Sequence, residues 1–174
     1  MCGLTGFISN SKLASSDLDA TCRIMAEAIF SRGPDDQGTW VDPDIGIAMS
    51  FRRLAIIDLS PAGRQPMHSS SGRYILCFNG EIYNHLELRK NICSSHHWNG
   101  HSDSETILAV IEKIGIEPAL KKCVGMFAIA IWDRQKRKLT LARDRLGEKP
   151  LYYGIQNKTF FFSSDLLTFR ENKI

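Results

Sequence analysis

The chain has 174 residues, of which 43% are hydrophobic and 24% charged, and its net charge is +3. These values are typical of one globular domain, and the charge alone does not indicate a nucleic-acid partner. No apolar run approaches the ~20 residues of a membrane span, and the apolar N-terminus lacks a basic leader, so a cytoplasmic location is expected. Five cysteines without a C-x-x-C pair argue against a disulfide framework and a zinc knuckle.

The first half of the chain predicts a strand, a helix and then several strands. Gly3–Ile8 is predicted as a buried strand, and apolar residues at helical spacing predict a helix over Leu18–Ser31 with Asp17 as N-cap. The turn residues 32–36 end this helix. The last strand of this half ends at Asn79-Gly80, a turn signal. The strands after the helix are predicted at Gly38–Val41, Ile45–Ser50, Leu54–Leu59 and Tyr74–Phe78.

The second half predicts two helices followed by strands. The helices are Ile82–Lys90 and Ser102–Ile114, and Ser102 and Glu105 form a capping-box pattern at the start of the second. The strands are predicted at Met126–Trp132, Lys138–Arg143, Leu151–Ile155 and Thr159–Ser163. A basic cluster, residues 134–138, falls between the first two strands and indicates a solvated hairpin tip rather than a nucleic-acid patch. Grouped strands and grouped helices predict α+β layers.

Cys2 would become the N-terminal residue if Met1 were removed. Its α-amine, with an unperturbed pKa of about 7.7–8.0, could then take the thiol proton and generate a thiolate nucleophile. Gly3 would let a substrate approach closely. The competing interpretation is that Cys2 is an arbitrary residue after the start codon, which Met-Cys alone would favour.

Seven segments of the sequence, the first of which contains Cys2, favour the catalytic interpretation of this cysteine. They occur at Met1–Gly6, Arg32–Asp36, Arg53–Asp58, Gln65–Met67, Phe78–Asn84, Ser102–Glu105 and Arg143–Tyr153. In this order they resemble the N-terminal-nucleophile (class II) glutamine amidotransferase domain of asparagine synthetases, from Met1 to about Asp165. The string Asn-Gly-Glu-Ile-Tyr-Asn is specific, because related glucosamine-phosphate synthases and amidophosphoribosyltransferases carry other residues after Asn-Gly.

The resemblance implies an Ntn-hydrolase-type α-β-β-α sandwich of two mostly antiparallel sheets flanked by helices, formed by residues 1–174 as one domain. The Ser-Gly-Gly-x-Asp-Ser string of the family's ATP-pyrophosphatase domain does not occur, so the synthetase domain is expected to be absent. The chain is also expected to stop before the amidotransferase domain normally ends, without a closing strand or two. Many members carry His where this chain has Phe51.

The resemblance also implies a role for each matched residue. Cys2 would attack the side-chain amide carbon of glutamine, and the Asn79 amide and the Gly80 N–H would form the oxyanion hole. The α-carboxylate would be held by Arg53 and the α-ammonium by Asp103, with Glu81 beside it. The backbone of Leu54, Ala55, Ile56 and Ile57 would line the same pocket. Competing interpretations are a surface ion pair for Arg53 and a helix-start carboxylate for Asp103.

By this resemblance the domain hydrolyses L-glutamine without a cofactor, and ATP and Mg²⁺ are expected only in the missing synthetase domain that accepts the ammonia. No metal is expected, because the residues His96, His97, His101, Asp103 and Glu105 fit no standard zinc spacing. No nucleic-acid or membrane partner is expected, and a homodimer stays open. Two alternatives remain: an amidotransferase that feeds another acceptor, such as a sugar phosphate, and a truncated non-catalytic remnant that binds glutamine or a partner protein.

Overall fold

The structure is a computed structural model that describes residues 1–11, 13–55 and 61–171. It contains nine strands and five α-helices within these ranges. The strands are β1 (Gly3–Ser9), β2 (Asp36–Asp42), β3 (Ile47–Arg53), β4 (Met67–His68), β5 (Tyr74–Ile82), β6 (Gly125–Asp133), β7 (Lys138–Arg143), β8 (Tyr152–Gln156) and β9 (Thr159–Ser163). The helices are α1 (Ser15–Glu27), α2 (His85–Ile92), α3 (Asp103–Ile114), α4 (Ile116–Lys122) and α5 (Leu167–Arg170).

The strands form two antiparallel sheets. A five-stranded sheet has the order β2-β3-β1-β9-β8, and a four-stranded sheet has the order β4-β5-β6-β7. In the first sheet β1 lies between β3 and β9, so the N-terminal strand is central. In the second sheet β4 is only two residues long, so most of β5 has no neighbouring strand on that side among the described residues.

Three apolar layers follow from the alternation of side chains along the strands. In β3, Ile47, Met49 and Phe51 face the space between the sheets, whereas Ala48 faces α1. In β5, Ile75 and Cys77 face the other sheet, whereas Leu76 and Phe78 face the helices on the outer side. Each large apolar side chain buried in this way contributes about 1.5–3 kcal/mol. The predicted α-β-β-α sandwich is confirmed.

The helices cover the outer faces of the sheets. In α1, Leu18, Cys22 and Met25 recur at helical spacing and pack on the five-stranded sheet. The other outer layer belongs to α3, whose apolar face packs on the four-stranded sheet with support from α2 and α4. The start of β1, the ends of β3 and β5 and the start of α3 meet at one end of the sandwich.

Some predicted elements differ from the observed ones. The strand predicted to end at Asn79-Gly80 continues to Ile82, because Asn79 and Gly80 pair with Ala128 and Phe127 of β6. The first helix begins earlier than predicted, at Ser15, so Asp17 lies in its first turn and is not the N-cap. The helix after β5 begins at His85 instead of Ile82 because β5 is longer.

Other differences are smaller. The strand predicted at Leu54–Leu59 is absent at Leu54 and Ala55, and its remaining residues lie outside the described ranges. The short elements α4, α5 and β4 were not predicted. The strands Lys138–Arg143 and Thr159–Ser163 have the predicted bounds, and residues 134–137 form the turn before the first of them.

The described helices are all too short or too polar to cross a lipid bilayer.

We expect Gly6→Ala to reduce the free energy of unfolding by about 1–3 kcal/mol through overpacking. A Cβ at Gly6 in central strand β1 would lie 2.4 Å from Cζ of Phe162 and 2.5 Å from the carbonyl oxygen of Ala48. The matched control is Gly154→Ala in β8, where a Cβ would meet no atom within 4 Å. Urea unfolding of both variants should separate them, and equal losses would contradict this account of packing around β1.

Candidate active site

Cys2 lies immediately before β1 and is held by two other segments. Its carbonyl oxygen accepts a hydrogen bond from Nε of Arg32 at 3.2 Å. Its Sγ lies 3.3 Å from the backbone nitrogen of Leu54 and 3.5 Å from the carbonyl oxygen of the same residue. A Cβ on Gly3 would lie 2.8 Å from Cδ1 of Ile29, so glycine allows this close packing. The thiol is thus fixed at the end of the space between the sheets.

Burial raises the pKa of the Cys2 thiol above its ordinary range. The N–H of Leu54, the N-terminal ammonium and Arg53 act in the opposite direction but do not overcome the burial. A thiol of this kind is a poor nucleophile at neutral pH unless a nearby base takes its proton.

A cavity of ≈ 200 Å³ opens beside Cys2 and brings together most of the predicted site. Its lining includes the candidate residues Cys2, Arg53, Leu54, Asn79, Gly80, Glu81 and Asp103. Ala55 is not among the lining residues, and its N–H donates to Oδ2 of Asp35 at 2.8 Å. Ile56 and Ile57 lie outside the described residues.

A larger cavity of ≈ 640 Å³ lies between α4 and β7, and none of the candidate residues lines it. We assign the site to the smaller cavity, because that cavity combines a thiol with a buried arginine, a buried amide and a buried carboxylate. Convergent polar groups in a cleft identify a functional site better than volume does.

Asn79 supplies a buried hydrogen-bond donor to this cavity. Its side chain follows the alternation of β5 and points towards the space between the sheets, as Cys77 does. Nδ2 is buried and donates no hydrogen bond to any described residue. Buried polar groups are nearly always paired, so this N–H group is available to donate to a ligand oxygen in the cavity.

The backbone N–H of Gly80 faces the same cavity, as the pairing of β5 shows. Gly80 is paired with Phe127 of β6, and both backbone groups of Phe127 bind Asp144. The N–H of Asp144 donates to the Phe127 carbonyl at 2.8 Å, and the N–H of Phe127 donates to Oδ2 of Asp144 at 3.2 Å. Gly80 therefore points its N–H to the other side of β5, where β4 has already ended. A Cβ at Gly80 would lie 2.2 Å from the carbonyl oxygen of Met126, so β6 requires a glycine here.

Gln65 and Asp103 flank Gly80 along this edge of β5. The Gln65 side chain accepts from the N–H of Phe78 at 2.6 Å and donates to the carbonyl of Phe78 at 3.2 Å. Two residues beyond Gly80, the N–H of Ile82 donates to Oδ2 of Asp103 at 2.8 Å. These side chains replace the strand that is missing beyond β4 and leave Gly80 between them.

Two opposite charges are buried in the cavity. Arg53 ends β3 and is 9% exposed, and Asp103 begins α3 and is 5% exposed. Burial raises the pKa of Asp103, although the N–H of Ile82 and the nearby His85 act in the opposite direction. Glu81 lines the cavity but its side chain is exposed. A small zwitterion, with one carboxylate and one ammonium, matches this arrangement.

The sequence assigned no site role to several residues that line the cavity. Gln65 was part of a matched motif without an assigned role. Lys149 is buried in the cavity lining, held by an N–H···Oδ2 bond to Asp144 at 3.1 Å. Phe51, which stands where many family members carry His, is fully buried in the core between the sheets and touches the cavity. In the described part of the chain no three His, Cys, Asp or Glu side chains converge as metal ligands would.

Several known proteins are similar to this chain over nearly its whole length. A family profile described as a glutamine amidotransferase domain matches residues 1–174. The chain is 41% identical over 169 residues to glutamine-hydrolyzing asparagine synthetase 2 of Bacillus subtilis (strain 168), covering 95% of this chain and 22% of that protein. It is 39% identical over 167 residues to asparagine synthetase 1 of the same organism, covering 95% of this chain and 26% of that protein. The chain thus spans about a quarter of the length of these relatives.

The fold is also similar to a solved structure. Glutamine phosphoribosylpyrophosphate amidotransferase from B. subtilis superimposes with a TM-score of 0.81 at 17% identity, covering 97% of this chain and 43% of that chain. This similarity supports the fold.

With Met1 retained, we expect half-maximal alkylation of Cys2 by iodoacetamide above pH 8.5, about the pKa of an unperturbed thiol, because burial raises its pKa. Removing Met1 places an α-amine beside the thiol, and the profile should then shift to lower pH. Peptide mass spectrometry can follow both forms, with the fully buried Cys22 as an internal control that stays unlabelled. Identical profiles for the two forms would contradict the role of the α-amine.

Proposed function

The chain belongs to the glutamine amidotransferase domain family, and on that premise we propose that Cys2, made N-terminal by removal of Met1, is the nucleophile that hydrolyses glutamine. The observation that carries the proposal is the convergence of this thiol, the buried Asn79 amide, Arg53 and Asp103 in one cavity. Each group matches one part of the glutamine molecule or of the intermediate formed from it.

The α-amine of Cys2 acts as the base in this mechanism. It takes the thiol proton as Sγ attacks the side-chain amide carbon of glutamine, and a carbon–sulfur bond forms. The N–H of Leu54, 3.3 Å from Sγ, supports negative charge on the sulfur. When the tetrahedral intermediate collapses, the ammonium returns its proton to the leaving nitrogen, and ammonia departs.

Asn79 and Gly80 donate hydrogen bonds to the negatively charged oxygen of the tetrahedral intermediate. The Asn79 Nδ2 and the Gly80 N–H are two donors from one strand, and neither is required by the ladder with β6. After ammonia departs, water attacks the glutamyl thioester on Cys2, which releases glutamate and restores the thiol.

Arg53 and Asp103 recognise the amino-acid end of glutamine. The Arg53 guanidinium binds the α-carboxylate, and the buried Asp103 carboxylate binds the α-ammonium. The cavity of ≈ 200 Å³ accommodates one free amino acid. Because the α-carboxylate and the α-ammonium are both charged only in a free amino acid, Arg53 and Asp103 select free glutamine over a glutamine side chain in a protein.

The ammonia has a destination outside this domain. Because the asparagine synthetases that the chain resembles are about four times longer, we place the acceptor chemistry in a synthetase domain or subunit that uses ATP and Mg²⁺. The glutaminase step itself uses only side chains and backbone groups, without a cofactor. Five free cysteines favour a reducing compartment, which supports the cytoplasm.

The direct test is to incubate the Met1-processed chain with glutamine, aspartate, ATP and Mg²⁺, and to measure glutamate and asparagine separately. We expect glutamate and no asparagine. Cys2→Ala should lower glutamate formation by at least about a thousandfold. The control Cys93→Ala removes a thiol outside the cavity and should retain activity.

Glutamate formation that persists in Cys2→Ala would rule out the proposed nucleophile. Asparagine formed by this chain alone would rule out a separate acceptor domain.

The recognition of the α-ammonium predicts a pH dependence. Because burial raises the pKa of Asp103, its carboxylate is protonated at a higher pH than usual, and the KM for glutamine should rise as the pH falls through that pKa. Asp103→Asn should raise KM about 10–100-fold, the loss of one charged hydrogen bond, and remove this pH dependence. Glu81→Gln, at an exposed side chain, should change KM far less. Steady-state kinetics would contradict the assignment if the two variants ranked in the opposite order.

A further inference from the structure

The segment between α2 and α3, residues 93–102, contains no helix or strand, yet it leads directly to Asp103 at the cavity. Side chains satisfy several of its backbone groups. The Glu105 carboxylate accepts from the N–H of Asn99 at 2.8 Å and from the N–H of Gly100 at 3.0 Å. The Ser102 hydroxyl caps α3 by accepting from the N–H of Glu105 at 3.2 Å.

Arg89, in the last turn of α2, satisfies the carbonyl groups of the same segment. Its Nη1 donates to the carbonyl of Gly100 at 3.0 Å, and its Nη2 donates to the carbonyl of Ser102 at 2.9 Å. Its Nε donates to the Thr106 hydroxyl on α3 at 2.7 Å. All three guanidinium nitrogens of Arg89 thus donate hydrogen bonds, and these bonds connect α2 to the segment 93–102 and to α3.

The surroundings of Arg89 hold this fork in place. The Trp98 ring lies with its centroid 3.8 Å from Cζ of Arg89, which is a close cation–π contact. Oε2 of Glu105 lies 3.8 Å from Nη2. Burial lowers the pKa of the Arg89 guanidinium, and the carboxylates of Glu105 and Asp103 oppose that effect. The Arg89 side chain therefore packs against Trp98, and nearby carboxylates offset its positive charge.

The contact with Ser102 matters for the site, because the carbonyl that Arg89 holds belongs to the peptide bond between Ser102 and Asp103. This peptide bond sets the direction in which the Asp103 side chain leaves the start of α3. On its other side Asp103 is fixed by the N–H of Ile82 in β5. Arg89 and β5 thus constrain Asp103 from two directions, although Arg89 is not among the residues that line the cavity.

We propose that Arg89 is a positioning residue for glutamine recognition, because it holds the Ser102–Asp103 peptide bond so that the Asp103 carboxylate faces the substrate ammonium. This inference rests on the proposed function. Its consequence is that Arg89 affects KM for glutamine through Asp103 and has little effect on the chemistry at Cys2.

The test compares Arg89→Met, which keeps the apolar stem, with Arg89→Lys, which keeps the charge but loses the fork. Lys90→Met is the matched control, since Lys90 is the exposed neighbour on the same helix. We expect Arg89→Met to raise KM for glutamine about tenfold or more with kcat within about threefold, and Lys90→Met to leave both unchanged. Arg89→Lys should raise KM as well, because an ammonium cannot reproduce the fork.

Two further measurements separate positioning from a general loss of structure. The rate of Cys2 alkylation by iodoacetamide should be the same in Arg89→Met, Arg89→Lys and the parent chain. In the Asp103→Asn background, Arg89→Met should raise KM by less than about twofold, because both changes act on one interaction. If Arg89→Met does not fold, Arg89→Lys in the same two backgrounds decides the question.

An unchanged KM in the Arg89 variants, or effects of Arg89→Met and Asp103→Asn that multiply, would overturn the inference. If Asp103→Asn raises KM for glutamine but the Arg89 variants do not, this inference alone is overturned. A parent chain that releases no glutamate from glutamine would overturn the proposed function and this inference with it.

Discussion

The unpaired edge of β5 is the constraint on which the site depends. In the part of the chain that the structure describes, the ladder with β4 covers only Met67 and His68, so the backbone groups of Phe78, Gly80 and Ile82 face an edge without a neighbouring strand. Side chains occupy the first and the last of these three positions and leave the middle N–H directed at the cavity. A donor for a developing oxyanion must be unpaired in the resting protein and yet held rigidly. An edge residue fixed on both sides meets both requirements.

The polar groups of the site are buried at a cost that the apolar layers must offset. A buried donor without a partner, such as the Asn79 amide, costs about 1–3 kcal/mol. Arg53 and Asp103 add two charges that are largely removed from water. All of these groups lie at one end of the sandwich, beyond the core formed by Phe51, Trp132 and their neighbours. The site therefore perturbs the packing of the sheets only at its margin.

The predictable parts of the structure are those in which local pattern and tertiary environment agree. Apolar spacing located α1 and α3, and strongly apolar runs located β5 and β6. The Asn79-Gly80 turn signal failed because pairing with β6 outweighed a local preference. Resemblance pointed to Cys2, Asn79 and Asp103, which the fold brings to one cavity, but it assigned no role to Gln65 or Arg89. Gln65 and Arg89 both bind backbone groups of residues more than ten positions away in the sequence. Such partners come close only in the folded chain, so the type of side chain alone does not predict them.

The central position of β1 also bears on synthesis of the protein at the ribosome. β1 is completed on one side by β9, where Thr5 pairs with Ser163, so its final neighbour is translated long after β1 itself. Strands so distant in sequence cannot pair until the later one has emerged. The N-terminus consequently stays accessible to a processing aminopeptidase until β9 has emerged, and Cys2, directly before β1, reaches its final surroundings only when this strand pairs.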